Sequence, residues 1–590
     1  MSRDLGRVRS RTSHAPSIIV KTLKPSTNRI LRLIPLALLL NAWVAPPGTQ
    51  AEAQAAGQTP AQNAAQASSA EADSPADIRQ PGGRLVLVLP FDNRSGQANL
   101  NWIGDSFPYT LDQRFTSAGF LTISPDDRQY ALEHLGLPGD FRPSRATTLR
   151  IAQTLDADFV ILGSYNVLNQ GSTDSRIEVQ AQVLQVNQMN MSPPLQDSSE
   201  LSRLFDVENA IAWKVAQRMD PRFAVAEQTF LAASGGVRLS SFENFIRGTS
   251  ALTQEERLKR LQAAVAETPN YSAALLALGK EQYAASQYEA AAVTLAKVPP
   301  NDRMALEANF YRGLARFNFA KYAEAAAAFA FVAGSLPLPE VVNDEGVANS
   351  RQGKDAAALF VQVIAADPND ADYHFNLAVA LLRRSDIDGA TREVQAAQNL
   401  HADDPEATEM LTRLQATHGS TANLKSIMSA GGFDPTTRIR RTWSEASFRQ
   451  AEFQLDQMRA IQMATLPPAQ QAVQYTQLGT DYLAQGLLPE AEQEFHTALS
   501  ADPSNAAAHA GIAQVRERSG SPDDARAEAQ ISLQLTPNGA ACLVLARLDL
   551  QTNQLSESAN EVANALRLEP DNPDALAMKT TLAERGQNLP

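Results

Sequence analysis

The sequence predicts an α/β domain with a mixed sheet, followed by an all-α superhelical solenoid. Three observations predict it. Apolar runs of strand length, Leu85–Leu89 and Phe159–Gly163, alternate with helix-length amphipathic segments. Ile177, Val179, Ala181 and Val183 alternate with polar residues, as in an antiparallel strand with one exposed face. From residue 242 to 580, small residues, aromatics and prolines recur at steps of 33 or 34 residues.

Residues 1–53 read as a signal peptide. Arg29 and Arg32 precede the apolar run Leu33–Ala45, whose thirteen residues fall short of the ~20 a bilayer span needs. Ala51-Glu52-Ala53 offers a small-residue cleavage site, and the absence of a nearby cysteine argues against a lipoprotein anchor. A cleaved Sec-type signal implies a periplasmic or secreted chain with no stable membrane span; an uncleaved membrane anchor is the alternative reading. Residues 54–83, rich in Ala, Gln and Pro, carry too little apolar surface to fold and read as a disordered linker.

The α/β domain is expected over 84–222. Leu85–Leu89 fits a strand covered on both faces. A helix from Asn101 to Ala118 ends at Gly119, and Phe120–Ile123 makes a short strand. Ser144 can cap a helix running to Ala157, and a buried strand follows at Phe159. Asn169–Ser175 is a polar turn before the alternating strand, and Phe205, Ala212, Val215 and Ala216 give a last helix its apolar face. The stretches "VLVLPFDNRSG…WIGDSFPYTL", "LRIAQTLDADFVILGSY" and "RIEVQAQVLQVN" resemble the TolB amino-terminal-like domain, which is related to the FlgO type. The resemblance rests on Pro90-Phe91, Asn93–Gly96 and Ala157–Ser164, and implies an envelope protein that binds partners and has no catalytic residues to carry over.

The solenoid is clearest in Tyr475–Asn505. Gly479 and Ala491 allow close helix approach, Tyr475, Leu478, Tyr482 and Phe495 fill the seam, and Pro503 ends the unit. These spacings resemble the tetratricopeptide (TPR) repeat, and seven such units are recognisable. They divide into one array at 242–418 and a second at 471–580. Between them, 419–470 reads as a hinge at Gly431-Gly432 and a degenerate helical pair, with Arg438, Arg440 and Arg441 on a solvated face.

Composition narrows the function. Residues 1–53 hold eight Lys/Arg and two acids, leaving 43 basic and 63 acidic side chains in the rest. Such a surface repels nucleic-acid backbones. The single cysteine, Cys542, sits among apolar residues and reads as a small buried hydrophobe, so no disulfide or multi-cysteine metal site can form within the chain. No phosphate-loop, dinucleotide, nucleophile-elbow or zinc-protease motif occurs. "SDIDG" at Ser385–Gly389 hints at a calcium loop, but Arg384 and Gln395 occupy two of its ligand positions. His496 and His509 read as surface or seam residues, and Asp126-Asp127 and Asp523-Asp524 as helix-start charges.

The expectation is a non-enzymatic scaffold with no cofactor and no metal, whose partners are proteins or peptides of the envelope. Phe310, Leu314, Phe317, Phe375, Val379 and Leu382 form an apolar stripe that reads either as a partner groove or as packing within the array. Asp92, Asn93, Ser164 and Asn166 mark the rim of an α/β crevice, which keeps a ligand sensor and an enzyme site as alternatives. Sequencing the mature amino terminus tests the leader: the expected start lies after the apolar run, and a start at Met1 excludes cleavage.

Overall fold

The computed structural model describes residues 85–123, 125–136, 145–169, 175–232 and 237–590. The expected leader, linker and Ser144 cap, and most of the 169–175 turn, lie outside these residues.

The sheet comprises β1 (Leu85–Val88), β2 (Asp92–Asn93), β3 (Leu121–Thr122), β4 (Phe159–Leu168), β5 (Arg176–Gln185), β6 (Asn190–Met191) and β7 (Leu195–Glu200). Its order is β3-β1-β4-β5, with β2 also on β4, and β6 and β7 on β5. β1 and β2 run parallel to β4, while β4 and β5 are antiparallel over ten residue pairs. The mixed sheet is therefore as expected. Helices α1 (Trp102–Ser117), α2 (Pro125–His134), α3 (Arg145–Thr154) and α4 (Leu204–Met219) cover it. Successive side chains of a strand point to opposite faces. Val86 and Val88 accordingly join one core with Phe107 and Ile211, and Leu87 and Leu89 join another with Ala131 and Ile151. Two covered faces explain why the β1 run is continuously apolar.

The Pro-Phe corner has a packing reason. The Phe91 ring lies over Gly163, where an added Cβ would sit 2.2 Å from it, and stacks on Phe107 at 4.1 Å. The break between β1 and β2 lets this ring turn inward.

A short helix, α5 (Glu227–Ala232), then leads to α6 (Leu239–Thr249), α7 (Gln254–Glu267), α8 (Ser272–Ala284), α9 (Tyr288–Leu295), α10 (Ala305–Asn318) and α11 (Tyr322–Ser335). Next come α12 (Pro339–Arg351), α13 (Ala357–Ala366), α14 (Ala371–Arg383), α15 (Ile387–Leu400), α16 (Pro405–Ala416), α17 (Leu424–Ser429) and α18 (Glu445–Ala464). The second array holds α19 (Pro468–Ala484), α20 (Leu488–Ala501), α21 (Ala506–Arg518), α22 (Pro522–Leu535), α23 (Gly539–Gln551), α24 (Leu555–Leu568) and α25 (Pro573–Glu584). Each of the seven units read from sequence is a helix pair here. The Phe495 ring of α20 fits between Gly479 and Gly511, where added Cβ atoms would come within 2.7 and 2.3 Å. The staples are also internal. His374 bonds Glu393 at 2.7 Å and the Pro368 carbonyl at 3.1 Å, and His509 repeats this with Glu528 and Pro503.

The sheet domain and the repeats share one core. Phe242, Phe245 and Ile246 of α6 pack with Trp102 and Phe107, and the cluster continues to Leu278 of α8. The second array returns to the same domain. Glu492 of α20, fully buried, accepts from Ala226 N, just before α5, at 2.9 Å and from Thr229 Oγ1 on α5, and pairs with Arg516 at 2.7 Å. Arg303, between α9 and α10, bonds Ser117 Oγ of α1 at 3.0 Å and Glu490 of α20 at 2.6 Å.

Helix α1 meets α4 through a buried polar seam. Thr110 Oγ1 donates to Glu208 at 2.7 Å and Arg114 Nε to Asn209 at 2.7 Å. Ser106 Oγ approaches both the Ile103 carbonyl at 2.8 Å and Glu208 Oε1, yet has only one hydrogen, which favours a proton on the carboxyl. Burial raises Glu208 to about 7 from an ordinary 4.5, against the opposing pull of Ser106, Thr110 and Arg114. The folded chain then holds a proton that the unfolded chain releases, so this contribution to stability is full below 4.5 and is lost as pH rises through about 7. Glu208→Gln, which cannot ionise, is expected to lessen that loss. In melts across this range, the variant's melting temperature should gain on the parent's as pH rises; a pH-independent difference contradicts the assignment.

Candidate functional site

The concave face of the first array is built from α10, α12, α14 and α16. It holds a segment of the same chain. Residues 433–444, neither helix nor strand, run across it between α17 and α18.

Two asparagines hold the segment by its backbone. Asn376 on α14 donates to the Arg438 carbonyl at 2.8 Å and accepts from Arg438 N at 2.6 Å. Asn343 on α12, 33 residues earlier, donates to the same carbonyl at 3.1 Å and accepts from Asn376 at 2.7 Å. Asp344 accepts from Arg440 N at 2.8 Å. All three of these side-chain positions are fully buried. The amide of Asn376 thus does for Arg438 what a neighbouring strand would do.

Acids and aromatics hold its side chains. The Arg438 guanidinium lies 3.6 Å from the Phe375 ring centroid and pairs with Asp372 at 2.9 Å, Asp404 at 2.5 Å and Glu406 at 3.1 Å. Arg440 pairs with Asp370, lies 3.4 Å from Asp372 and stands over Tyr373. Asp370 and Asp404 also cap α14 and α16, accepting first-turn amides. Although burial opposes it, the Asp404 and Asp372 carboxylates hold Arg438 above its ordinary range. Burial raises Asp404, and its bonds to Arg438 and the α16 amides outweigh that and lower it. Burial pushes Asp344 well above the carboxylate range, against its bond from Arg440 N. Ile439 packs among the first-array clusters, and Trp443 meets Phe310 at 5.2 Å and Phe448 of α18 at 5.0 Å.

This geometry corrects two expectations. The three arginines do not share a solvated face: Arg441 is exposed, whereas Arg438 and Arg440 are paired in the groove. The apolar stripe does not form an open groove. Phe310, Leu314, Phe375 and Val379 are buried, and Phe317 and Leu382 half-buried. Trp443 and Ile439 cover Phe310 and Phe317, while Phe375, Val379 and Leu382 join the core of α15–α17. Sequence reading missed Asn343, Asn376 and the acids. The 33-residue spacing of the asparagines and the 34-residue spacing of Asp370 and Asp404 were the available signals.

The α/β rim residues sit differently from expectation. Asp92 and Asn93 form β2 and pair with Ser164 and Tyr165, well inside β4 rather than at its end. Asn93 is a loop staple, donating to Gln97 O at 2.7 Å and Asn101 Oδ1 at 2.9 Å. Ser164 and Asn166 line an open polar hollow with Glu178, Gln180 and Asp197. Among the described residues no cluster of three or more His, Cys, Asp or Glu could hold a metal, and no helix is long and apolar enough to cross a membrane. Burial pushes the Cys542 thiol up to about 12.

Residues 350–414 and 476–540 match two tetratricopeptide repeat family models. No curated protein matches the chain significantly. Solved structures with similar parts include YrrB, described as a TPR protein with an unusual peptide-binding site. It is 14% identical, with a TM-score of 0.25, over 29% of this chain and 89% of its own. The TPR domain of P58(IPK) is 16% identical, with a TM-score of 0.19, over 59% of this chain and 99% of its own. The LpoB C-terminal domain from Salmonella enterica is 21% identical, with a TM-score of 0.17, over 20% of this chain and 83% of its own.

Removing the Asn376 amide leaves Arg438 N–H without its acceptor, a loss worth about 1–3 kcal/mol at a buried site. Asn376→Ala is expected to speed amide exchange at Arg438 and Arg440 while leaving α23 unchanged. Equal protection in parent and variant would refute the clamp.

Proposed function

We propose that this chain is a non-enzymatic scaffold that binds proteins of the cell envelope, working in the periplasm or outside the cell. The observation that carries the protein-binding reading is the backbone clamp of Asn343 and Asn376. It grips a peptide segment through groups every residue possesses, and that is how a helical array can hold an extended chain. The tetratricopeptide matches at 350–414 and 476–540 support the same reading. The envelope assignment rests on the Arg29/Arg32 and Leu33–Ala45 leader pattern and on the resemblance of the α/β domain to TolB amino-terminal-like domains. In this reading that domain is a rigid end-piece, since its core continues into α6–α8.

The test is in-cell photo-crosslinking of the full chain with mass spectrometry. A photoreactive residue replaces exposed Arg441 at the groove and, separately, exposed Val473 on α19. Discrete envelope proteins are expected at one or both positions. Crosslinks confined to cytoplasmic proteins would exclude the envelope reading, and none at either position would exclude the scaffold.

A further inference from the structure

We propose that residues 436–443 are a displaceable internal ligand, and that the first array receives in their place an extended segment of another protein. That segment has an arginine, one apolar residue, a second arginine and a large aromatic three residues later. The proposal rests on the scaffold reading and names the partner chemistry and its control.

The groove cannot stand empty. Asn343, Asn376 and Asp344 are fully buried under the segment, and Asn376 and Asp344 would lose the backbone groups they bond. A buried polar group left unpaired is costly, so departure of the segment requires a replacement offering the same N–H and C=O positions. Four carboxylates, Asp370, Asp372, Asp404 and Glu406, face two guanidiniums, and the Phe375 and Tyr373 rings add cation–π floors. Phe310 receives the aromatic. These are the contacts that a second Arg-x-Arg segment would make.

The resident segment is an imperfect occupant. Among the described residues, Asp344 Oδ2 and Thr437 Oγ1 are buried with no hydrogen-bond partner. Asp344 therefore keeps one oxygen that no described residue of the chain engages. The arginine side chains keep 21% and 34% of their exposure, so water reaches the ion pairs and weakens them. Upstream, Gly431 and Gly432 take φ of 64° and 80°, a left-handed reversal that delivers the chain to the groove. Tethering still favours the resident segment, because a short link gives an effective concentration of order mM.

The probe is a labelled peptide of residues 434–444 followed by fluorescence anisotropy against the full chain. The parent should bind it weakly. The Arg438→Ala/Arg440→Ala chain, with its own segment loosened, should bind about a hundredfold more tightly. Adding Asn376→Ala, or replacing both arginines in the peptide by alanine, should abolish that gain. A folded double variant that binds no better than the parent overturns the proposal. Should the variant fail to fold, the parent decides: excess peptide is expected to speed exchange of the chain's own amides at 437–441, and unchanged exchange overturns it. A parent dimer that becomes monomeric in the double variant assigns the segment to a second copy and also overturns it. Failed peptide binding with crosslinked envelope partners intact rejects the internal ligand and leaves the scaffold standing; the opposite pair of results does the reverse.

Discussion

A two-helix repeat cannot bury its own flanks, and this constraint governs the whole molecule. Every pair needs a neighbour on each side, and the concave face also needs cover wherever it carries apolar side chains. Three covers are present. The α/β core reaches across α6 and α7 to Leu278 and closes the start of the first array. Helix α5 sits against α20 and α21, joined by Glu492. Residues 433–443 lie on the concave face. None of these is an ornament added to a self-sufficient solenoid. Each replaces a neighbour that the repeat pattern by itself does not provide.

Apolar cover supplies most of the stabilisation, but it is not directional. Position is set by buried polar groups, which tolerate only geometries that pair them. Two buried glutamates illustrate how the partners decide the charge state. Glu208 faces hydroxyls and a more distant Arg114, and burial prevails, raising it. At Glu492 burial also raises, yet His496, Arg516, Thr229 and the Ala226 amide together outweigh it and hold the carboxyl below its ordinary value. The first is suited to carry a proton, the second a charge. The charged one joins elements 266 residues apart in sequence, where a lost partner would leave a buried charge uncompensated.

The legible parts of the sequence were those with a local period. β1, β4 and β5 came from apolar runs and alternation, and the helix pairs from small and aromatic residues that meet within one repeat, as Gly479 meets Phe495. Helix α2 was legible only at its start, where Asp126 and Asp127 read as helix-start charges, because the sequence "PDDRQYALEH" has no repeating apolar face. The groove was missed for a different reason. Asn376 and Arg438 are 62 residues apart, and Asn343 and Arg438 are 95 apart. No periodicity in one segment encodes a partner in another. A run of arginines is ordinarily solvated, so its acid partners on α14 and α16 overturn a sound local expectation. The apolar stripe was found, but exposure depends on what lies over it, and Trp443 was outside the repeat register.

The two arrays permit an internal comparison that isolates what the groove adds. The His-Glu-Pro staple of α14–α15 recurs in α21–α22 at a constant offset of 135 residues, from His374, Glu393 and Pro368 to His509, Glu528 and Pro503. The same offset carries Asn376 to Gly511, Asn343 to Leu478, Asp372 to Ala507 and Phe375 to Ala510. The framework is kept and the clamp is not. Gly511 instead makes room for the Phe495 ring, a seam requirement. The amides, acids and ring of the first array are therefore not demanded by the repeat fold, because the second array folds the same helix pair without them. Their placement follows from what the concave face must hold: a backbone to be paired at Arg438 and two guanidiniums to be neutralised.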